Sequence, residues 1–432
     1  MKKVQAARRG GFPLIWKLLV GKSKRILARS RGVAGALGNM DWTWRADASR
    51  RSPEYRELEL HSVGSTHVGR AAGTSAADDI KLVAYYLPQF HPIPQNDAWW
   101  GKGFTEWTNV GKALPQFVGH SQPRLPGELG YYDLRVREVM HRQIELAKNY
   151  GIHAFCFHYY WFSGERLLEK PLDDFVTDPA IDFPFAICWA NENWTRRWDG
   201  QEKKILKEQR YTLEDRDALM PDMKRYLQHR NYLRIGGRPL IIVYKPMLIP
   251  DIKATVERWR AMCRASGVGE IYLVGVQWDP AHNPTEFGFD AMAEFPPVSV
   301  PYTPQIDKVR LLNPAFAGSI YDYSEMVQIF SGRARPSYEL FRGVTPGWDN
   351  TARRGGNAWV FRGATPAVFG QWLRKAMAAT RQAMPEDRRL VFINAWNEWA
   401  EGAYLEPDHK FGYAYLQECW DALQESQGEQ DG

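Results

Sequence analysis

The sequence predicts a (β/α)8 barrel with long loops after its strands, preceded by a basic extension. Three observations point there. From Ile80 onward, eight short apolar runs alternate with helix-like stretches over about 350 residues, the size of a barrel with insertions. Runs that are apolar throughout and separated by helices indicate parallel strands covered on both faces. Clusters of polar and aromatic residues fall just past the ends of most runs, where a barrel keeps its functional groups. A doubly wound sheet is the alternative, but no glycine-rich phosphate turn follows any run.

The expected strands are Lys81–Phe90, His153–Trp161, Phe183–Ala190, Pro239–Tyr244, Ile271–Trp278, Ala291–Pro296, Gly343–Trp348 and Leu390–Trp396. The expected helices are Leu134–Tyr150, Leu213–His229, Ile252–Ser266, Ala364–Met384 and Tyr413–Glu425. After the first strand come His91, the pair Trp99-Trp100, and Glu106-Trp107; Tyr86 lies within the strand itself. His158 and Tyr160 end the second strand. Asn191-Glu192-Asn193-Trp194 follows the third, Tyr244 ends the fourth and Trp348 the seventh. Asn397, Glu398 and Glu401 follow the eighth. These residues are the candidate substrate-binding set, with Glu398 and Glu401 as the candidate catalytic pair. The barrel is expected to span residues 80–426, with an extension at 1–79 and a short tail at 427–432.

Composition sharpens the chemistry. The 432 residues include 18 Trp, 20 Tyr and 20 Phe, many beside Asn, Asp, Glu or His. Aromatic faces stack on the C–H faces of sugar rings while amides and carboxylates bond the hydroxyls, so the mixture suits an oligosaccharide or polysaccharide cleft. A tryptophan-rich core is the plain alternative, but it leaves the polar neighbours unexplained. Charge is uneven. Residues 1–40 hold ten Lys or Arg and no acid, whereas the rest carries 46 basic and 50 acidic side chains. A mildly acidic body argues against nucleic acid as the partner. Two readings stand for the basic tail: a solvated extension, or weak contact with an anionic membrane surface through Trp16, Leu18 and the flanking cations. Its apolar patch is interrupted at Lys17, too short for a membrane span.

Four scattered cysteines, Cys156, Cys188, Cys263 and Cys419, form no CxxC pair and read as buried free thiols, which favours a reducing compartment. The histidines lack HxH or HExxH spacing, so no metal is expected. Neither acidic metal ligands nor a glycine-rich helix start suggests a diphosphate site, so no cofactor is expected.

The decisive stretch is Phe392-Ile393-Asn394-Ala395-Trp396-Asn397-Glu398-Trp399-Ala400-Glu401-Gly402. A buried strand runs into two carboxylates three residues apart, near Trp396, Trp399, Trp420 and Tyr404. An acidic surface loop is the plain alternative, but a solvated loop has no need of those rings. Paired carboxylates in unequal environments are what glycosidic bond chemistry requires. Glu192, flanked by amides, reads as a hydroxyl ligand rather than a third catalytic acid, and Glu406 as structural or at the rim.

Six segments together carry a family resemblance. They are Tyr85–His91, Trp99-Trp100-Gly101, Phe104-Thr105-Glu106-Trp107, His158–Trp161, Trp189–Trp194 and Asn397–Gly402. They resemble the WbsX-type proteins found among genes for bacterial lipopolysaccharide O-antigen and related polysaccharides. Those are called glycosyltransferases but are similar to the endo-α-mannosidases of glycoside hydrolase family ninety-nine. The resemblance covers roughly residues 80–425. It implies a retaining enzyme for α-linked, mannose-like sugars that works through an anhydro-sugar intermediate. Glu398 would be the base on the substrate's own 2-hydroxyl, Glu401 the general acid/base, and Tyr244 a site-lining tyrosine. The mannosidase motif has His where this chain has Ala400, which bears on sugar preference. A true glycosyltransferase and a non-catalytic glycan-binding barrel are the alternatives. The expected location is cytoplasmic, with the tail as a peripheral contact at the inner membrane.

Overall fold

The computed structural model describes residues 80–196 and 201–428; the readings for the basic tail lie outside them. Eight strands form one closed parallel barrel: β1 Lys81–Tyr86, β2 Ile152–Phe162, β3 Phe185–Trp189, β4 Arg238–Val243, β5 Tyr272–Val276, β6 Ala291–Ala293, β7 Leu340–Val344 and β8 Leu390–Ile393. Each pairs with the next in sequence, and β1 closes the ring by pairing with both β2 and β8. The helices are α1 Pro94–Trp100, α2 Glu106–Lys112, α3 Arg137–Asn149, α4 Lys170–Thr177, α5 Leu213–Leu227, α6 Ile252–Ala265, α7 Pro284–Phe287, α8 Tyr323–Ser331, α9 Thr351–Arg354, α10 Pro366–Ala383 and α11 Ala414–Gly428. Among the described residues no helix is long and apolar enough to cross a membrane.

Strand alternation divides the core into two layers. Val83 and Tyr85 of β1, Ala154 and Cys156 of β2, Ala186 and Cys188 of β3, and Phe392 of β8 join the inner cluster. Leu82, Ala84, Tyr86, Phe155, Phe157, Ile187 and Ile393 join the larger cluster under the helices. The inner layer sets small residues on β2, β3 and β6 against Tyr85, Tyr272, Phe341 and Phe392, so one side's bulk fills the other's space. The helices cover the barrel with apolar stripes. In α10, Phe369, Trp372, Leu373, Ala376, Met377 and Thr380 are buried at helical spacing, and Thr365 Oγ1 caps its start by accepting from Val368 N. All four cysteines are free and buried.

Boundaries differ where a proline or a loop partner intervenes. β1 stops at Tyr86 because Leu87 N donates to the Asn397 side chain and Pro88 has no N–H to extend a ladder. β7 spans Leu340–Val344 rather than Gly343–Trp348. Trp348 and Asp349 pair instead with Trp359–Arg362, antiparallel, in a small outer sheet, and Pro346 marks the break. The helices α1, α2, α4, α7, α8 and α9 were not read from the sequence, and α11 runs to Gly428, past the expected helix end at Glu425 and the expected barrel end at 426.

Candidate active site

The carboxylate pair sits on a tight hairpin beyond β8. Asn397–Glu398 pairs antiparallel with Ala403–Tyr404, and Trp399–Glu401 forms the 3-10 turn between them. Gly402 closes the turn at φ 62°, a left-handed conformation, and a Cβ there would come within 3.0 Å of the Asp349 Cβ. Two anchors hold the hairpin. Asn397 accepts from Leu87 N at 2.7 Å and donates to Leu87 O at 3.0 Å, tying the end of β8 to the end of β1. Trp399 stacks on Tyr404 at 3.8 Å and donates its indole N–H to Glu406 at 2.6 Å. Glu406 also accepts from Tyr132 and from Gln143, so a fully buried carboxylate braces the turn from behind.

A residue overlooked in the sequence completes the site. Arg353, on α9 past the end of β7, reaches three carboxylates with one guanidinium. Its contacts are 2.9 Å to Glu398, 2.6 Å to Glu401 and 3.2 Å to Glu106. Short backbone bonds place it: Arg353 N donates to Asn350 O, and the Asn350 side chain accepts from Trp359 N. Glu106 opens α2, whose first N–H is pinned to Gln89 O at the end of β1. Three strand ends therefore converge on one fork, a geometry that suits carboxylates bound through parallel N–H groups.

The charges do not balance. One guanidinium against three carboxylates would leave two negative charges in a poorly solvated cleft, so the set favours holding a proton. Burial pushes the Glu398 carboxyl up to about 8; Arg353 opposes this, and the Glu401 and Glu106 charges add to it. Burial also raises Glu106, against the pull of Arg353. Burial pushes Glu406 up to about 7 despite its hydrogen bonds. Each of these groups binds its proton more tightly folded than unfolded. Their ionisation therefore erodes stability as pH rises from the ordinary carboxylate range near 4.5 through about 8. Carboxylates held low, such as Asp349 and Asp290, lose their contribution only in more acidic solution. We expect the melting temperature to fall between pH 5 and pH 8.5, and Glu398→Gln to flatten that slope. Scanning calorimetry across the range checks it, and a parallel slope in the variant would contradict it.

Aromatic side chains from β1, β2 and the segments after β1, β3 and β4 surround the carboxylates. Tyr160 is raised well above the usual phenol range by burial and by the Glu398 charge. Trp194 meets Tyr160 edge-on at 5.0 Å, and Trp99 meets Trp194 at 5.8 Å. Burial and Arg353 hold His158 down at about 4, so its ring is neutral near pH 7. His158 stacks with Tyr85 and meets Tyr244 edge-on at 6.4 Å. Burial, then the charges of Glu192 and Glu401, raise Tyr244. Glu192 pairs with Lys245, whose ammonium lies 4.5 Å above the Trp278 ring. Tyr85 is a second residue the sequence reading missed; its hydroxyl is buried with no hydrogen-bond partner among the described residues.

Several expected ligands lie elsewhere. Tyr86 points outward, donating to Gln143 beneath the helices, because alternation gives the inner face to Tyr85. Asn397 is fully buried, and its amide serves the Leu87 backbone rather than the cleft. Asn191 is likewise spent, bonding both Lys245 N and Lys245 O. The exposed Asn193 accepts from Gln209 N. Trp107 packs behind the hairpin on Trp399 and Phe90 and donates to Tyr132 O. His91 is buried, with burial as the main cause holding it at about 4, and the charges acting on it come from Asp133, Arg135 and Lys170 rather than the carboxylate cluster. Trp100 lies 5.3 Å below the Arg196 guanidinium. Trp348 sits on the outer sheet, lining a separate cavity against the hairpin.

The profile of the family described as "Glycosyltransferase WbsX" matches residues 82–419, almost the whole barrel. The chain belongs to the WbsX family. Proteins called WxcX from two strains of Xanthomonas campestris pv. campestris, B100 and ATCC 33913, are each 49% identical over 344 residues. Those residues are 79% of this WbsX-family chain but 49% of each relative, so the chain spans about half the length of the curated relatives it matches. A solved "Glycoside hydrolase-like protein" shares the fold at TM-score 0.51 and 16% identity, covering 85% of this chain and 99% of its own. An endo-α-mannosidase of glycoside hydrolase family ninety-nine from Bacteroides thetaiotaomicron has TM-score 0.49 and 15% identity, covering 83% of this chain and 100% of its own.

Proposed function

We propose that this WbsX-family chain is a glycan-active enzyme that breaks and re-forms α-linked, mannose-like glycosidic bonds with retention, in the assembly of bacterial surface polysaccharide. The observation that carries the reading is the meeting of Glu398 and Glu401 on one guanidinium at the barrel mouth, beside Tyr160, Tyr244 and Trp194. A carboxylate cluster that retains a proton near neutral pH can donate it to a leaving oxygen while its ionised partner takes one from the substrate. In this reading the retained proton, which burial favours on Glu398, has passed to Glu401 in the reactive complex; Glu398 then removes the proton of the sugar's 2-hydroxyl, that oxygen closes on the anomeric carbon, and Glu401 protonates the departing oxygen. Arg353 then keeps the two carboxylates at fixed separation through both steps.

The family's description as glycosyltransferases favours a second reading, transfer from a sugar nucleotide. Incubation with sugar nucleotides and, separately, with α-linked oligosaccharides discriminates the two. We expect reducing sugar or a transglycosylated product from the oligosaccharide and no nucleotide release. Nucleotide release coupled to glycan growth would establish the second reading instead. The first-formed product should keep its anomeric configuration by NMR; an inverted first product would refute the anhydro-sugar route.

A further inference from the structure

A separate cavity of about 90 Å³ lies against the hairpin at Gly402 and Tyr404. None of Glu106, Arg353, Glu398 or Glu401 lines it. It accommodates about half a dozen water-sized groups, at ~10–15 Å³ each, which suits an oxyanion with part of the ring that bears it. Its polar walls come from Arg124, Lys410, Arg362, His120 and Asp349, with Gly402 between it and Glu401.

The acceptors around this cavity are already occupied. Asp349 Oδ2 accepts from His120 at 2.8 Å and Gln122 at 2.6 Å, with Arg124 at 3.5 Å, and Asp349 Oδ1 accepts from Thr351 N at 3.1 Å. Asp408 accepts from the Tyr404 hydroxyl at 2.7 Å and from Phe411 N. The cations are not matched in the same way. Lys410 has no carboxylate within 4.0 Å among the described residues; its ammonium lies 4.9 Å from the Phe411 ring. Burial, with the Arg124 guanidinium next, pulls its ammonium below the usual value, against the charge of Asp408. Arg362 is exposed and reaches a backbone oxygen, Lys308 O, at the limiting distance of 3.5 Å. Three cations thus face two committed carboxylates, and the surplus is positive charge with free N–H groups. A half-buried ammonium with no direct ion pair, whose nearest acidic charge, Asp408, is already committed to Tyr404 and Phe411, is stabilised by an incoming anion, and charge-assisted bonds to it are the strong kind.

We infer that this cavity binds a sugar-borne oxyanion, a carboxylate or a phosphate, beside the catalytic hairpin. Its location on the wall of the Glu398–Glu401 turn would make it a subsite for an acidic residue of the glycan, a role that rests on the function proposed above. Anion binding itself does not depend on that function, and it is measured without turnover.

The test is calorimetric titration of the full chain with glucuronate, glucose 6-phosphate and glucose. Both anions should bind in the millimolar range and glucose should not, and added salt should weaken the anions. Whichever anion binds more tightly identifies the group. Lys410→Gln should weaken the anions by at least about tenfold, while Lys410→Arg should keep binding within a few-fold. A melting curve on each variant establishes that it is folded, and Glu398→Gln should bind the anions as the parent does. Equal binding of glucose, no anion binding at about 50 mM, or an undiminished affinity in folded Lys410→Gln would overturn the assignment. If Glu398→Gln binds anions normally but keeps full activity on oligosaccharide, the proposed function fails while the cavity stands.

Discussion

Glu398→Gln and Glu401→Gln should each lower turnover on an oligosaccharide substrate by about 10²–10⁴-fold while the barrel stays folded. That is the usual worth of a positioned proton-transfer group. The substitution keeps shape and one hydrogen-bonding oxygen but removes the group that takes the proton, at Glu398, or gives it, at Glu401. Both side chains touch the same guanidinium, so either change also relaxes the cluster's charge. The two losses should not add in the double variant, because groups that act as a unit fail together. Steady-state rates with matched melting curves check this, and near-parental activity in either single variant would remove that residue from the mechanism.

Arg353→Met should be the most damaging single change to stability near the site. It leaves Glu106, Glu398 and Glu401 facing one another with no counterion, and breaking a buried ion pair on one side typically costs ~3–5 kcal/mol. The sign with pH follows from the same charges. Losing the cation raises the carboxyls further, so they protonate at higher pH, and protonation relieves the repulsion. The deficit should therefore be largest at pH 8.5 and shrink toward pH 5. Activity should fall with it even where the protein is folded, since the carboxylates lose their common tether. Melting temperatures equal to the parent's at pH 8.5 would show that Arg353 carries no such load.

The pair Glu398 and Glu401 was legible in the sequence because strand, carboxylates and closing glycine are contiguous in one motif. Arg353 was not. It lies in Ala352-Arg353-Arg354, just past the polar cluster at Trp348–Asn350, and nothing local says which arginine turns inward. Glu106 and Trp107 were read together as candidate ligands, and of the two it is Glu106 that reaches the cluster. The choice of Tyr86 over Tyr85 has a general cause. A strand that is apolar on both faces carries no amphipathic signal to fix which parity faces inward. Asn191 and Asn397 show a second limit. Parallel strands end in loops whose backbone groups need partners, and a buried amide beside a candidate site carboxylate serves that need as readily as it serves a sugar. The β7 boundary slipped because Gly343–Trp348 reads as one run, whereas Pro346 divides two strands of different sheets.

The most direct test is a crystal structure of Glu398→Gln with an oligosaccharide bound. The account predicts a sugar in the cleft walled by Tyr160, Tyr244 and Trp194. The glycosidic oxygen should lie within hydrogen-bond reach of Glu401, about 2.6–3.2 Å, and the 2-hydroxyl should face residue 398. A glycan seated with its linkage oxygens beyond reach of both positions, in a folded protein that still occupies this cleft, would contradict it.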